Sequence, residues 1–393
     1  MNRNEMLMIL ITSLWAMSNT MSAVFVNVYL YAYTGSLVVM TIYCMVRIAQ
    51  FPLFFTLGGK WAQRKGFAWP LSTGVVISMT SLIYVLMMNE AFAVYPSLVY
   101  VSALLVGIGE GFFWLSINSL HQFVSGPESR ARYLGNIGIF NNIANIIAPL
   151  LSTWIISNSI SDTEGYITIF KFVLVIYVVV VIAATMVRAN PSSENFSVLQ
   201  CLVITKDKAW RKNMLMTFMY GMRDALTLTL AGLLVYNATN GSGSIYSSLL
   251  TIFALISIVS YRIVSRRLRP ENLHRYFTWG SLLISSSTIM LVLVPNLFGA
   301  IYYGVVNAVS LPLYGNPYSL FSMNNIQTYA EKENMIGRVI AKEIYLSIGR
   351  CFGMFLIVMS SLILPETLYL PVSVVFCSLF PIVLIFYTKN MRA

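Results

Sequence analysis

Apolar residues in this chain come in long unbroken runs, and the polar residues between them fall in short connections. Twelve runs can be delimited, at approximately 7–33, 37–58, 69–88, 96–123, 133–156, 166–187, 213–236, 245–264, 276–295, 297–322, 336–363 and 368–387. A helix needs about 20 mostly apolar residues to cross the hydrocarbon core of a bilayer. Each run is that long, and none alternates as a membrane β-strand would, so twelve transmembrane helices are expected. The first run follows a short polar start and lacks a small-residue cleavage site at the usual distance, so it reads as a span rather than a signal peptide. The connections then assign orientation. One set carries Lys60, Arg64, Lys65, Arg130, Arg132, Lys206, Lys208, Arg211, Lys212, Arg266, Arg267, Arg269, Lys332 and Arg338. The alternate set carries Glu90, Asp162, Glu164 and Glu366 and no Lys or Arg. Basic connections stay in the cytoplasm, which places both termini there.

Composition agrees with a polytopic membrane protein. The 393 residues are 58% hydrophobic and 10% charged, with a mean hydropathy of +0.74, whereas a soluble domain carries about 25% charge. The net charge of +11 is accounted for by the basic connections and does not point to nucleic acid. Cys44, Cys201, Cys351 and Cys377 are far apart and have no metal-ligand spacing, so no metal is expected and the thiols read as packing residues. There is no GxxxxGK[ST] run for nucleotide phosphates and no HExxH pair, and His121 and His274 are the only histidines. An ATP-driven pump and an enzyme are therefore not expected, and no cofactor is called for.

The two halves repeat. YTGS at 33–36 matches TNGS at 239–242, with Gly35 and Gly241 separated by 206 positions. The same shift carries WLSINSL (114–120) onto LFSMNNI (320–326), pairing Ser116 with Ser322 and Asn118 with Asn324. It also carries Arg132 onto Arg338, and GKWAQRKG (59–66) onto SRRLRPEN (265–272). Spans 1–6 and 7–12 are thus two copies in one orientation. The expected organisation is a six-helix bundle over 1–190, a cytoplasmic linker over 191–212 and a second bundle over 213–393. Parallel halves with a site between them are one transporter architecture.

With these features the chain resembles the major facilitator superfamily over essentially its full length. GKWAQRKG is similar to that family's signature loop Gly-x-x-x-Asp-Arg-x-Gly: Gly59, Arg64 and Gly66 match, while Gln63 replaces the acid. In the family that acid helps latch the outward-facing state, so the resemblance implies a latch here that is missing or rebuilt. Span 5 resembles an exporter motif of small residues with a Gly-Pro pair, with Gly135, Ala144, Ala148, Pro149, Ser152 and Thr153 in its positions. The resemblance implies an all-α fold of two pseudo-symmetric bundles, with spans 1, 4, 7 and 10 lining a central cavity and spans 2, 5, 8 and 11 flanking it.

Charge inside the hydrocarbon costs about 2.5–3.5 kcal/mol by insertion scales, so intramembrane charges are candidate functional groups with partners. At about 1.5 Å of rise per residue, Arg47, Glu110, Arg223, Asp224 and Arg350 come near the midplane, with Glu343 closer to the cytoplasm. Glu110 is flanked by Gly109 and Gly111 in GIGEGFFWLSINSL (107–120). The glycines would leave room for a partner helix or a ligand. Two roles stay open for Glu110: a carrier of protons or contact for a cation, or a fixed ion pair with Arg47 or Arg223. Burial favours the neutral form of a carboxyl and a nearby arginine the charged form, so such a group can exchange a proton as its surroundings change. Arg350 and Glu343 are seven apart on one face and are expected to lie too far apart for an ideal pair. Arg350 is then open to an anionic substrate group or to an acid on another helix. Arg223 and Asp224 point about 100° apart, so each is expected to have its own partner.

Around these groups Asn19, Trp114, Asn118, Asn141, Asn142, Asn145, Asn316, Tyr318 and Asn324 would suit an amphipathic ligand or interhelical hydrogen bonds. The expected function is secondary active transport by alternating access: a monomer in a bacterial cell membrane, an antiporter exchanging protons for a small amphipathic compound in efflux. A lipid or glycolipid flippase on the same scaffold, or a membrane sensor that does not transport, are the rival readings.

Overall fold

The computed structural model describes all residues except 1–2, 35–36, 89–90, 127–128, 161, 188–197, 199–201, 203–207, 241–242, 331–334 and 389–393. Gly35, Glu90, Cys201, Lys206, Gly241, Lys332 and most of the expected linker lie outside the described residues, as do the side chains of Thr153, Asp162 and Glu366. Among the described residues the chain is helical, without strands. Eleven helices are long and apolar enough to cross a membrane. With span 1, a helix over Arg3–Thr34, they make the twelve-helix fold that the apolar runs predict.

Span 2 is two helices, Leu37–Ala49 and Phe51–Lys65, broken at Gln50. Pro52 explains the break: it lacks an N–H and its ring clashes with the carbonyl four residues back. The second piece runs through most of GKWAQRKG, so the expected loop is helical as far as Lys65. Gly66 ends it, with φ of 85°, a conformation that costs glycine little and other residues more. Its N–H closes the helix on the Ala62 carbonyl at 2.7 Å.

Spans 3 to 6 are Ala68–Met87, Val99–Val124, Arg130–Ser157 and Asp162–Met186. Span 7 begins as Lys208–Leu226, so residues 208–212 belong to it rather than to a linker, and passes through a π-helical turn at Thr227–Ala231 before ending as Gly232–Ala238. Spans 8 to 12 are Gly243–Arg267, Leu273–Leu293, Leu297–Ala330, Met335–Ile363 and Glu366–Thr388. The 206-residue shift carries Ala68–Met87 onto 274–293 and Val99–Val124 onto 305–330, ending where spans 9 and 10 end.

The chain forms two compact units: Met1–Ser125 with Ile143–Ser197, and Gly126–Asn142 with Val198–Ala393. In the first, span 4 packs on spans 2 and 3, and span 6 on spans 1 and 3. In the second, span 10 packs on spans 8 and 9, and span 12 on spans 7 and 9. The neighbour relations repeat as the sequence does.

Candidate functional site

Glycines position the charged group of the first unit. A Cβ on Gly107 would strike the Arg47 carbonyl of span 2. One on Gly109 would lie 2.7 Å from the Gly74 carbonyl of span 3, and one on Gly111 2.7 Å from Phe54 Cβ of span 2. Span 4 thus meets two neighbours at backbone distance on either side of Glu110. The room that the glycines leave is taken by helices. This approach brings Arg47 onto Glu110 in a bidentate pair, Nε donating to Oε2 at 2.5 Å and Nη2 to Oε1. Such two-pronged pairs fix geometry as well as charge.

The pair borders a cavity of about 100 Å³ inside the first unit. Trp15 and Asn19 of span 1, Tyr43 of span 2, Ser78 and Ser81 of span 3, Ser102 of span 4 and Tyr177 of span 6 line it. Glu110 is 2% exposed, while the Arg47 side chain keeps 32% exposure. Among the described residues the buried Trp15 indole N–H has no hydrogen-bond acceptor, and its ring stacks on Phe113 with centroids 3.8 Å apart. The sequence pattern does not single out Tyr43, Tyr177 or the serines. The signal it holds is a pair of serines three apart on span 3, too common in spans to stand out.

The second unit builds a different group by the same means. Cβ atoms on Gly221 and Gly353 would lie 3.0 Å from the Arg350 nitrogen and 2.8 Å from the Met222 carbonyl, and one on Gly349 would strike the Phe218 carbonyl. Spans 7 and 11 therefore touch along their backbones, which sets Asp224 opposite Arg350. Arg350 Nε and Nη2 both reach Asp224 Oδ2 at 2.8 Å. Arg350 Nη1 also lies 3.5 Å from Glu343 Oε1, a longer contact than the 2.8 Å to Asp224, so the two residues seven apart come within reach without making an ideal pair. Helical side chains lean toward the N-terminus, so the long arginine reaches back along the helix to the earlier glutamate.

Arg223 is 4% exposed and donates to Asn307 Oδ1 of span 10 at 3.3 Å. Among the described residues no carboxylate pairs with it. Lys342, which is absent from the sequence-predicted group, holds its ammonium 5.7 Å from the Tyr318 ring centroid. Beside these lies an aromatic stack: Tyr220 on Tyr318 at 4.3 Å and on Tyr314 at 5.0 Å. The Tyr318 hydroxyl donates to Thr217 at 2.8 Å.

The other predicted residues are dispersed. Trp114 and Asn118 are half-buried, one turn apart on span 4, and do not line the Glu110 cavity. Asn324 accepts a hydrogen bond from the fully buried Arg130 at 2.5 Å, within the second unit. Gly59 is buried in span 2, and Arg64 is exposed with no ion pair among the described residues. In span 5, a Cβ on Gly135 would strike Ser265 of span 8. Ala144 and Ala148 are buried and Pro149 lies within the helix. Asn145 accepts from Thr20 at 2.8 Å, tying span 5 to span 1, so the interhelical reading of this asparagine is the one observed.

The family model of the Major Facilitator Superfamily matches residues 8–341. YqgE of Bacillus subtilis (strain 168), a protein of uncharacterised function, is 23% identical over 393 residues, covering 100% of this chain and 90% of its own. An uncharacterised Geobacillus stearothermophilus protein is 31% identical over 169 residues, 43% of this chain and 77% of its own. Among solved structures, the proton:xylose symporter XylE superposes with a TM-score of 0.73 at 10% identity, covering 99% of this chain and 95% of that one. The E. coli fucose:proton symporter FucP superposes at 0.69 with 13% identity over 99% and 98%. A bacterial homologue of the iron transporter ferroportin superposes at 0.72 with 13% identity over 99% and 100%. At such identities the likeness is one of fold.

Proposed function

The chain belongs to the Major Facilitator Superfamily and is an integral membrane protein with that superfamily's transporter fold, and from this premise we propose that it is a proton-coupled secondary transporter exporting a small amphipathic compound. The observation that carries the reading is the Arg47–Glu110 pair on the wall of a small polar cavity. At about 100 Å³ this cavity is smaller than the roughly 300–1,000 Å³ of drug-sized ligand sites. It has room for water and a proton. Protonating Glu110 removes the charge that holds Arg47, and the freed guanidinium is left facing the cavity. Such a change of partners is a local charge event that can bias a two-state bundle.

Efflux is supported by the small residues of span 5, with Gly135 set against Ser265. XylE and FucP are named as proton symporters, which supports the proton as coupling ion and makes the direction of exchange a point for experiment. The Bacillus and Geobacillus relatives support a bacterial plasma membrane, and we take the monomer as the working unit.

The test uses everted vesicles from expressing cells, energised by respiration and offered fluorescent amphipathic dyes of either charge. Wild type is expected to accumulate at least one dye in a protonophore-sensitive way. Glu110→Gln is expected to fold, to keep dye exchange and to lose uphill accumulation by at least tenfold. Undiminished accumulation in that variant takes Glu110 out of the mechanism. Uptake only in right-side-out vesicles turns efflux into symport, and a variant that does not fold returns Glu110 to a purely structural role.

A further inference from the structure

The structure distinguishes between Arg223 and Arg350, the two arginines placed near the midplane of the second half. Arg350 is held by two carboxylates, Asp224 and Glu343. Arg223, one residue from Asp224 in sequence, is more than nine-tenths buried and has a neutral amide as its hydrogen-bond partner. At residues 223–224 of span 7 and 342–350 of span 11, the cations are Arg223, Lys342 and Arg350 and the anions are Asp224 and Glu343. One positive charge is left over. An arginine does not shed its proton in a protein, and a buried charge without a counter-charge is costly. Among the described residues no carboxylate pairs with the Arg223 guanidinium, whose partner is the neutral Asn307 amide.

We propose that Arg223, with Asn307, receives the anionic group of the transported compound, a carboxylate or phosphate borne on an apolar or aromatic body. Asn307 is half-buried and hydrogen-bonded to the buried guanidinium, so the anion would approach from the Asn307 side. Tyr220, Tyr303 and Tyr314 lie within electrostatic range of Arg223; Tyr303 and Tyr314 are buried, and the half-buried Tyr220 is the ring of the three left to meet the apolar body. The π-helical turn at Thr227–Ala231 follows within one turn of Asp224. Such turns recur at functional sites, where they cost the helix regular hydrogen bonding. This assignment rests on the transporter reading and names the class of its substrate.

The experiment is a thermal-unfolding screen of the purified full-length protein in uncharged detergent, with no proton gradient. The probes are salicylate and phenyl phosphate, the neutral and cationic matches benzyl alcohol and benzylamine, and nanodiscs of phosphatidylglycerol or phosphatidylcholine. Binding to the folded state raises apparent stability by mass action. At least one anionic probe is expected to raise the unfolding temperature of wild type by several degrees. Arg223→Gln is expected to abolish the shift, Arg223→Lys to keep part of it, and Asn307→Ala to reduce it. An Arg223-dependent shift with phosphatidylglycerol alone assigns the anion to a lipid headgroup. Equal stabilisation by the neutral or cationic matches, equal stabilisation of Arg223→Gln, or no anionic response at all overturns the proposal. Because the readout is equilibrium binding, its failure leaves the proton-driven transport of wild type untouched, and loss of that transport leaves anion binding standing.

Discussion

The two units repeat the packing of spans 2, 3, 4 and 6 in spans 8, 9, 10 and 12 and differ in where they keep their charges. In the first, the ion pair joins spans 2 and 4; in the second, it joins spans 7 and 11, which correspond to spans 1 and 5. The 206-residue shift puts Phe253 and Asn316 in the second copy where Arg47 and Glu110 stand in the first. It puts Ser18 and Ala144 in the first copy where Asp224 and Arg350 stand in the second. Spans 8 and 10 of the second copy pack together with Phe253 and Asn316 where spans 2 and 4 of the first carry Arg47 and Glu110, so that packing does not demand the first pair. Buried ion pairs are in any case weak evidence of stabilisation, because desolvation offsets their attraction. The units also differ in balance: one acid to one base at Arg47–Glu110, and, among the described residues, three bases (Arg223, Lys342, Arg350) to two acids (Asp224, Glu343) in the second group. A balanced pair can be opened by a proton, while a surplus cation awaits an anion.

Three changes would break or sharpen this contrast, in order of effect. Gly349→Leu forces a side chain into the Phe218 carbonyl and separates the helices that set Asp224 against Arg350. Recovery of folded protein by size-exclusion chromatography is expected to fall close to zero. Gly315→Ala, whose Cβ meets only the Tyr220 hydroxyl at 3.8 Å, should be recovered as wild type. If Gly349→Leu is recovered equally well, backbone contact is not what positions the second site.

Arg47→Leu strands the Glu110 carboxylate in a buried position, and losing one partner of a buried pair costs about 3–5 kcal/mol. The double variant with Glu110→Leu is expected to recover most of that loss in chemical unfolding. A double variant as unstable as the single would mean that the first unit does need its ions.

The smallest effect is expected at Arg223. Arg223→Leu strands no carboxylate, only the Asn307 amide, so unfolding should shift by no more than about 1 kcal/mol. A loss as large as that of Arg47→Leu would show a charge partner for Arg223 and remove the asymmetry between the two units.

Much of the candidate site is legible in the chain itself, and the glycines mark where legibility ends. Glu110 in GEG, Arg350 after Gly349 and the Arg223–Asp224 step two residues after Gly221 all place charge beside the residue that lets helices touch. That glycine and charge occur together is written in the chain; which helix arrives at each glycine is not. Gly109 receives span 3 and Gly111 receives span 2, and the difference decides that Arg47 grips Glu110. Lys342, Asn307 and the cavity tyrosines carry no such mark for the same reason, since each gains its meaning from a neighbour distant in sequence.

The sequence by itself determined the span count, the duplication and its register, because these follow from local composition: a fixed hydrocarbon thickness demands about 20 apolar residues per crossing, and a repeat keeps its spacing. The tertiary structure alone decided which charges neutralise one another and which is left over. Pairing runs through side chains that reach several ångströms between helices, so a small rotation of one span changes the partner while leaving the hydrophobic pattern as it was.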